Sequence, residues 1–416
     1  MAPAARQIAY INVAHGLCHY CLLILPTAVL AMAAPGGAFG VEYGPIVKLA
    51  TGMFVLYGML SLPQGWLAAR FGRKGMIAVF FLGTGASLVA CGMVGTPLAL
   101  ALGLAATGAF AAIYHPIGTA MLVEAAGDRP GRAIGVNGVS GNFGVALAPV
   151  VTAGLAGAFG WHAAFVVPGL ACVAAGLLWL RVPAFDYGAH RAARPFPAIP
   201  RALVRRAVAV LLLIAVVSGL VFNAFTLLIP KLLQERLAGD AALLPLIGLA
   251  AFLVTLCGAV TQFTVGRLID RMTLRKVFLP MAVVLAPGLL ALSVLHGWAV
   301  LPVAGLAAAA IFGQVTVNET MTARYIAPAL RARMYSIRFF VGFLGAAAAA
   351  PVVGILHERT GSLAAVMVVL AAVALVMLAY AWFFPDRPEE LRPELWAAQP
   401  GVVQPGVVQP GAVAAE

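Results

Sequence analysis

The sequence predicts an all-α membrane protein with twelve transmembrane helices in two pseudo-symmetric six-helix bundles. Three observations lead there. The 416 residues are 63% hydrophobic and only 10% charged, with a mean hydropathy of +1.01, whereas a water-soluble protein carries about 25% charged residues. The apolar residues fall into about twelve runs, each near the roughly 20 residues that a helix needs to cross a bilayer. The two halves also repeat each other.

This composition excludes a soluble globule, a disordered chain and a disulfide-rich secreted module. The cysteines (Cys18, Cys21, Cys91, Cys172 and Cys257) are scattered over apolar runs and form no disulfide framework. A β-barrel is excluded too, because its strands would be about 10 residues long with alternating polarity.

Charged or Gly/Pro-rich breaks place the spans near residues 8–33, 44–68, 75–94, 97–124, 133–160, 163–182, 205–233, 243–268, 277–296, 299–324, 333–357 and 361–384. The first run is too long for a signal-peptide core and reads as a retained span. The longest internal polar segment, rich in Arg and Pro, separates an N-terminal bundle (1–182) from a C-terminal one (205–384), leaving a cytoplasmic linker at 183–204. From Pro385 the chain turns acidic and proline-rich and ends in a five-residue repeat, so 385–416 is expected to be a disordered cytoplasmic tail.

With both termini inside, the cytoplasmic segments hold 22 of the 26 Lys and Arg residues, and only Lys48, Lys231, Arg236 and Arg359 lie outside. This split is a strong positive-inside signal and supports an even number of spans. It also explains the net charge of +12 without nucleic acid, since such residues anchor loops against anionic lipid. We expect an inner-membrane protein that acts as a monomer.

Gly65-Trp-Leu-Ala-Ala-Arg70-Phe-Gly72-Arg73-Lys74 is echoed by Gly266-Arg-Leu-Ile-Asp270-Arg271-Met-Thr-Leu-Arg275-Lys276. Ala148-Pro149-Val-Val is echoed by Ala350-Pro351-Val-Val, and Leu25-Pro26 by Ile229-Pro230. The offsets are 201, 202 and 204 residues. A parallel duplication of this kind encloses a cavity near the membrane midplane and opens it to each side in turn by rocking. That already points to transport of a small solute.

The loop Gly65-x4-Arg70-x-Gly72-Arg73-Lys74 resembles the signature loop of the major facilitator superfamily, whose acidic residue helps latch the cytoplasmic side shut. Ala69 stands at the acidic position here, while the second half keeps Asp270 and Arg271 with Thr273-Leu274 in place of the glycine step. The resemblance implies the facilitator fold, and it assigns gating to Gly65, Arg70, Gly72, Arg73, Lys74, Gly266, Asp270, Arg271 and Arg275. Ala14-His15-Gly-Leu-Cys-His19, Tyr114-His115-Pro116 and Ser140-Gly141-Asn142-Phe143-Gly144-x3-Ala148-Pro149 resemble the fosmidomycin-resistance branch of drug efflux proteins. Gly144-x3-Ala148-Pro149 is also similar to an antiporter glycine-proline motif. The branch implies proton-coupled efflux. It commonly has acids where this chain has His19 and Ile117.

Ionisable residues inside a span are costly and mark sites by default. Asn12, His15 and His19 share one face of the first helix, where imidazole suits a coupling proton or simply hydrogen-bonds between helices. Tyr114 and His115 precede Pro116 in the fourth and either face the cavity or satisfy the kink. Asn142, Asn223 and Gln262 add polar groups from the fifth, seventh and eighth. Gln314, Asn318 and Glu319 lie on the tenth and Arg338 on the eleventh, where Glu319 and Arg338 form an ion pair, either lining the vestibule or tying two helices together. Glu124 is expected to pair with Arg129 or Arg132.

Three rival readings follow from other patterns. His15-x2-Cys18-His19-x-Cys21 gathers soft metal ligands, as a transition-metal transporter would, but Cys21 is turned away from His15 and a closed site needs ligands from other helices, so no metal residue is assigned. Gly138-Val-Ser140-Gly141 resembles the serine motif of intramembrane proteases, but no base is fixed within reach of the serine, so no enzyme is expected. Missing acids at Ala69, His19 and Ile117 fit a sensor without flux. The absence of a Gly-x4-Gly-Lys-Ser/Thr loop argues against an ATP-driven pump, and no cofactor is expected. The reading is efflux of a small organic compound in exchange for protons, with uptake as the alternative. The coupling site is placed first at His15, then at His115 and Glu319.

Overall fold

The computed structural model describes residues 3–34, 37–40, 42–126, 130–183, 199–237, 243–392 and 395–396. Sixteen α-helices and a few short 3-10 turns make up the regular structure among them. The first half contains α1 (Pro3–Leu22), α2 (Leu25–Met32), α3 (Tyr43–Lys48), α4 (Thr51–Met59), α5 (Gln64–Phe71), α6 (Arg73–Cys91), α7 (Pro97–Ala111), α8 (Tyr114–Ala126), α9 (Pro130–Phe159) and α10 (Trp161–Leu180). The second contains α11 (Arg201–Leu237), α12 (Leu244–Ile269), α13 (Leu274–Val294), α14 (Val300–Tyr325), α15 (Pro328–Thr360) and α16 (Ala364–Ala381).

Eleven helical stretches are long and apolar enough to cross a membrane among the described residues, and a twelfth span is the pair Tyr43–Met59 and Gln64–Phe71, bent by 67°. The predicted twelve runs are thus present, but the second is broken. Its break has a local cause. Pro63 disfavours helical backbone in the residue before it, and the Gln64 side chain donates to the Leu60 carbonyl at 2.6 Å, satisfying a group that the apolar surroundings would otherwise leave bare. A second discontinuity separates α7 from α8 at Ala112–Ile113. Ala112 is the residue whose carbonyl loses its helical donor to Pro116. Large apolar side chains such as Leu98, Phe159, Phe263 and Val294 stand exposed on the outside, as lipid-facing helices require.

The two halves pack alike. α1 crosses α9 as α11 crosses α15, α6 pairs with α10 as α13 with α16, and α4 with α7 as α12 with α14. The crossings share their chemistry. A Cβ at Gly144 would meet the backbone of Gly16, and one at Gly219 would meet the backbone of Gly342. Small residues are what let helices approach this closely in lipid. Between the halves, α9 lies along α12, and α15 lies along α3 and α4. One end of this interface is held by Lys48 on α3 against Glu358 on α15 at 2.8 Å. Beside it, Glu235 accepts from His357 at 2.9 Å and from the Leu363 N–H at 3.2 Å.

Two boundaries differ from the sequence expectation. The second half begins helically at Arg201 rather than 205, because Pro200 accepts the first turn's bonds from Leu203 and Val204. Residues 184–198 of the expected linker lie outside the described residues. The chain after 384 is not disordered from its start. Glu390, 5% exposed, accepts from the Leu274 N–H at 3.0 Å and from the Tyr325 hydroxyl, and faces Arg324 at 3.6 Å. Thr273 donates to Asp386 at 2.5 Å, and Trp396 is buried 6.4 Å from the Tyr325 ring. One glutamate and one tryptophan dock a segment whose composition reads as solvated. The tail from 397 onward lies outside the described residues.

Burial raises the Glu390 carboxyl above the ordinary 4.5, and Asp386 adds to this, against the opposing pull of the Leu274 N–H, Tyr325 and Arg324. A group whose folded value is raised stabilises fully below its unfolded value and loses that contribution as pH climbs through the folded one. The docked segment should therefore be most protected near and below pH 4.5 and loosen above it. Hydrogen exchange of 386–392, corrected for intrinsic rates, checks this; Glu390→Gln should flatten the dependence, and an unchanged slope would refute the role of Glu390.

Candidate functional site

The polar face of α1 is aimed by its crossing with α9. With Gly16 and Gly144 in contact, α1 is close enough for Asn137 of α9 to gather three side chains. The Asn137 amide nitrogen donates to Asn12 Oδ1 and to the Tyr114 hydroxyl, both at 2.9 Å. Its backbone carbonyl lies 2.6 Å from His15 Nδ1. A carbonyl can only accept, so His15 carries its hydrogen on Nδ1 and presents a bare Nε2. His19 Nε2 lies 3.2 Å from that nitrogen and donates to it.

His115 closes the group from α8. Its ring centroid is 5.1 Å from His15 and 5.3 Å from His19, and Tyr114 stacks on His15 at 5.0 Å. Three imidazoles, two amides and a phenol thus form one cluster. Their sequence spacing on α1 placed two of the imidazoles on one face, and the fold adds the third.

The cluster meets the second half directly. Phe339 of α15 stacks on His115 at 5.4 Å, and the neighbouring Arg338 guanidinium sits 5.1 Å from the Phe339 ring. Arg338 is buried and pairs with Glu319 of α14, as the sequence predicts. Asn142 of α9 donates to Gln262 of α12, a second polar link between the halves, and Gln262 donates onward to the Phe312 carbonyl at 3.0 Å. Gln314 and Asn318 are buried on α14, and neither Gln314 amide atom has a partner among the described residues. Asn223 is not brought to the group; it turns back to the Gly219 carbonyl of its own helix at 2.8 Å.

A crevice lies where the halves' first helices meet. Pro26 and Thr27 of α2, Pro149 of α9, Thr226 and Pro230 of α11 and Thr255 of α12 line it. Pro26 and Pro230 are the echoed pair read from the sequence. None of the polar residues singled out there lines this crevice.

A sequence profile of the Major Facilitator Superfamily matches residues 17–257 and 241–410. The chain belongs to that superfamily. It is a multi-pass membrane transporter with the facilitator fold, not an enzyme. No curated protein sequence matches it. Solved structures of the same fold include an inward-facing, unoccupied bacterial homologue of the human lysosomal transporter Spinster, at 16% identity and TM-score 0.68 over 91% of this chain and 95% of that one. A D-xylose–proton symporter aligns at 13% identity and TM-score 0.72 over 91% and 97% of the two chains. The nucleoside transporter NupG aligns at 13% and 0.70 over 91% and 100%.

In this facilitator the two signature loops are each anchored within their own half. Gly72 ends α5 and starts α6 at φ +77°, a left-handed backbone that glycine adopts without strain. Lys74 donates to the Leu180 carbonyl at 3.2 Å, and Trp179 donates to the Lys74 carbonyl at 2.9 Å. Arg73 opens α6, while Arg70 is exposed, 5.8 Å from the ring of its neighbour Phe71. In the second half Arg275 covers Trp382 at 5.1 Å, and Asp270 and Arg271 are exposed at the end of α12. Gly65 and Gly266 border open space. The side chain of Glu124 lies outside the described residues.

Sequence reasoning missed three residues of the site: Asn137, Phe339 and Tyr57, whose ring lies 6.3 Å from His115. Asn137 left a signal, a second amide beside Asn142 inside the apolar run 133–160. Tyr57 and Phe339 left none, because an aromatic residue in an apolar helix looks the same whether it faces lipid, core or cavity.

Proposed function

We propose that this facilitator exports a small organic compound across the inner membrane in exchange for protons, as in the fosmidomycin-resistance branch. The observation that carries the reading is the convergence of polar groups from both halves on one interface: the Asn12, His15, His19, Tyr114 and His115 cluster against Phe339, Arg338 and Glu319, with Asn142 and Gln262 beside it. Rocking the halves parts these groups, so a solute bound among them is exposed to one side at a time. The excess of Lys and Arg on one side sets both termini in the cytoplasm, which puts Lys48–Glu358 at the outer gate and the two signature loops at the inner one.

Sequence reasoning placed the coupling proton first on His15. We assign it instead to Glu319. His15 and His19 satisfy each other and Asn137 wholly within the first half, whereas Glu319 pairs with a buried arginine beside the moving interface. A proton on Glu319 frees Arg338 to hold substrate, and its loss restores the pair. That a structural neighbour is named a proton symporter supports a proton as the ion.

A growth screen of an overexpressing strain against toxic organic compounds supplies the substrate. Purified protein in proteoliposomes should then move it against its gradient when the pH gradient is imposed, and an ionophore should abolish the movement. Flux that ignores the pH gradient would overturn the coupling, and accumulation in the direction of the proton flow would establish uptake.

A further inference from the structure

Cys18 and Cys21 are the soft ligands that the sequence set beside His15 and His19. The fold removes both from that face. Cys18 lies 3.7 Å from the Tyr57 hydroxyl and 3.8 Å from the Ala111 carbonyl, and Cys21 is buried away from the imidazoles. In their place α8 delivers His115. One ring nitrogen from each of His15, His19 and His115 lies within 4.8 Å of the others.

We propose that His15, His19 and His115 form a binding site for one divalent transition cation of the zinc type, with three imidazole ligands and an open fourth position. Imidazole suits this class of ion. Zinc–nitrogen bonds of 2.0–2.1 Å at tetrahedral angles set neighbouring ligand nitrogens about 3.3 Å apart. The Nε2 atoms of His15 and His19 are already 3.2 Å apart, the edge length that such a site requires. The third nitrogen must close by at most about 1.5 Å, a shift that side-chain rotation alone supplies.

The surroundings are those of a ligand set. A metal-bound histidine commonly donates its other nitrogen to a carbonyl or carboxylate, which fixes its tautomer and orientation. His15 Nδ1 does this to the Asn137 carbonyl, leaving Nε2 directed at the cluster. For His19, moving its hydrogen to Nδ1 bares the second lone pair. The nearby positive charge, Arg338, is paired with Glu319. The fourth position is left for water or for an anionic group of a bound solute, as in zinc sites that keep three protein ligands. The site does not depend on the transport reading, since three imidazoles bind an ion whether or not solute moves.

The test uses the full-length protein in detergent or nanodiscs with any histidine tag removed. Zn²⁺ titrated calorimetrically should bind once per chain. Co²⁺ should give the visible absorption of a tetrahedral centre, and X-ray absorption on the Zn²⁺ form should report nitrogen and oxygen neighbours without sulfur. His15→Gln, His19→Gln and His115→Gln should each weaken Zn²⁺ by at least tenfold. Cys18→Ser with Cys21→Ser, and His296→Gln at an exposed imidazole between α13 and α14 that faces Arg236, should leave it unchanged. Absence of stoichiometric binding in the unmodified protein, sulfur in the first coordination sphere, or equal loss in His296→Gln would each overturn the site. The spectra are taken on the unmodified chain, so a variant that fails to fold does not decide the matter. Loss of proton-driven flux with Zn²⁺ binding intact would overturn only the transport proposal.

Discussion

Replacing Arg338 by Met should abolish most transport while leaving stability nearly intact, whereas replacing Glu319 by Gln should remove the dependence of flux on the pH gradient and lower stability as well. Arg338 is 8% exposed, whereas the Glu319 side chain is 40% exposed. Removing the arginine leaves a carboxylate that water can reach. Removing the carboxylate's charge leaves a buried guanidinium facing a neutral amide. Breaking a fully buried pair costs about 3–5 kcal/mol, and the exposure of Glu319 reduces this to about 2 kcal/mol. We expect Glu319→Gln to lower Tm clearly, Arg338→Met to change it little, and the double variant to recover most of the loss. Flux should fall at least about tenfold in Arg338→Met, because our proposal gives substrate binding to the cation beside His115 and Phe339. Thermal unfolding and proteoliposome flux on the four proteins check this. Equal flux in wild type and Arg338→Met would remove the pair from the transport pathway.

That asymmetry was only half visible in the sequence. Two ionisable residues near the ends of adjacent apolar runs announce a pair, because lipid leaves a charge few alternatives. Which of the two is buried depends on how α14 and α15 cross, and no local pattern carries that. The same division runs through the molecule. Lipid forces apolar runs of fixed length, so the spans were legible, and the duplication was legible because its echoes survive in loops and prolines. The break at Leu60–Pro63 was not, since hydropathy continues across it and the carbonyls it leaves are met by single side chains, Ser61 at Gly58 and Gln64 at Leu60. The docked Glu390 and Trp396 were missed because composition averages over a segment, whereas docking there rests on single residues. On α1, helical period alone put Asn12, His15 and His19 together. Their partners Asn137, His115 and Phe339 come from other helices and needed the fold.

The crossing that assembles this cluster should be sensitive to a single methyl group. Alanine is a better helix former than glycine by about 1 kcal/mol, so Gly→Ala at an open helical site should stabilise. Gly154, on α9 with open space around it, should behave that way, gaining up to about 1 kcal/mol. Gly144, ten residues earlier on the same helix, should behave in the opposite sense. A Cβ there meets the carbonyl and Cα of Gly16, and backbone cannot rotate aside as a side chain can. Overpacking a tight contact costs about 1–3 kcal/mol, and we expect the upper end, because α1 and α9 must separate. Separation also stretches the bonds from Asn137 to Asn12 and His15, so His15 loses the carbonyl that orients it. Gly144→Ala should therefore lower Tm and blur the tetrahedral Co²⁺ spectrum together, whereas Gly154→Ala should raise Tm and leave the spectrum unchanged. Matching shifts of one sign in the two variants would mean that the α1–α9 crossing has slack, and that something other than this contact positions the imidazoles.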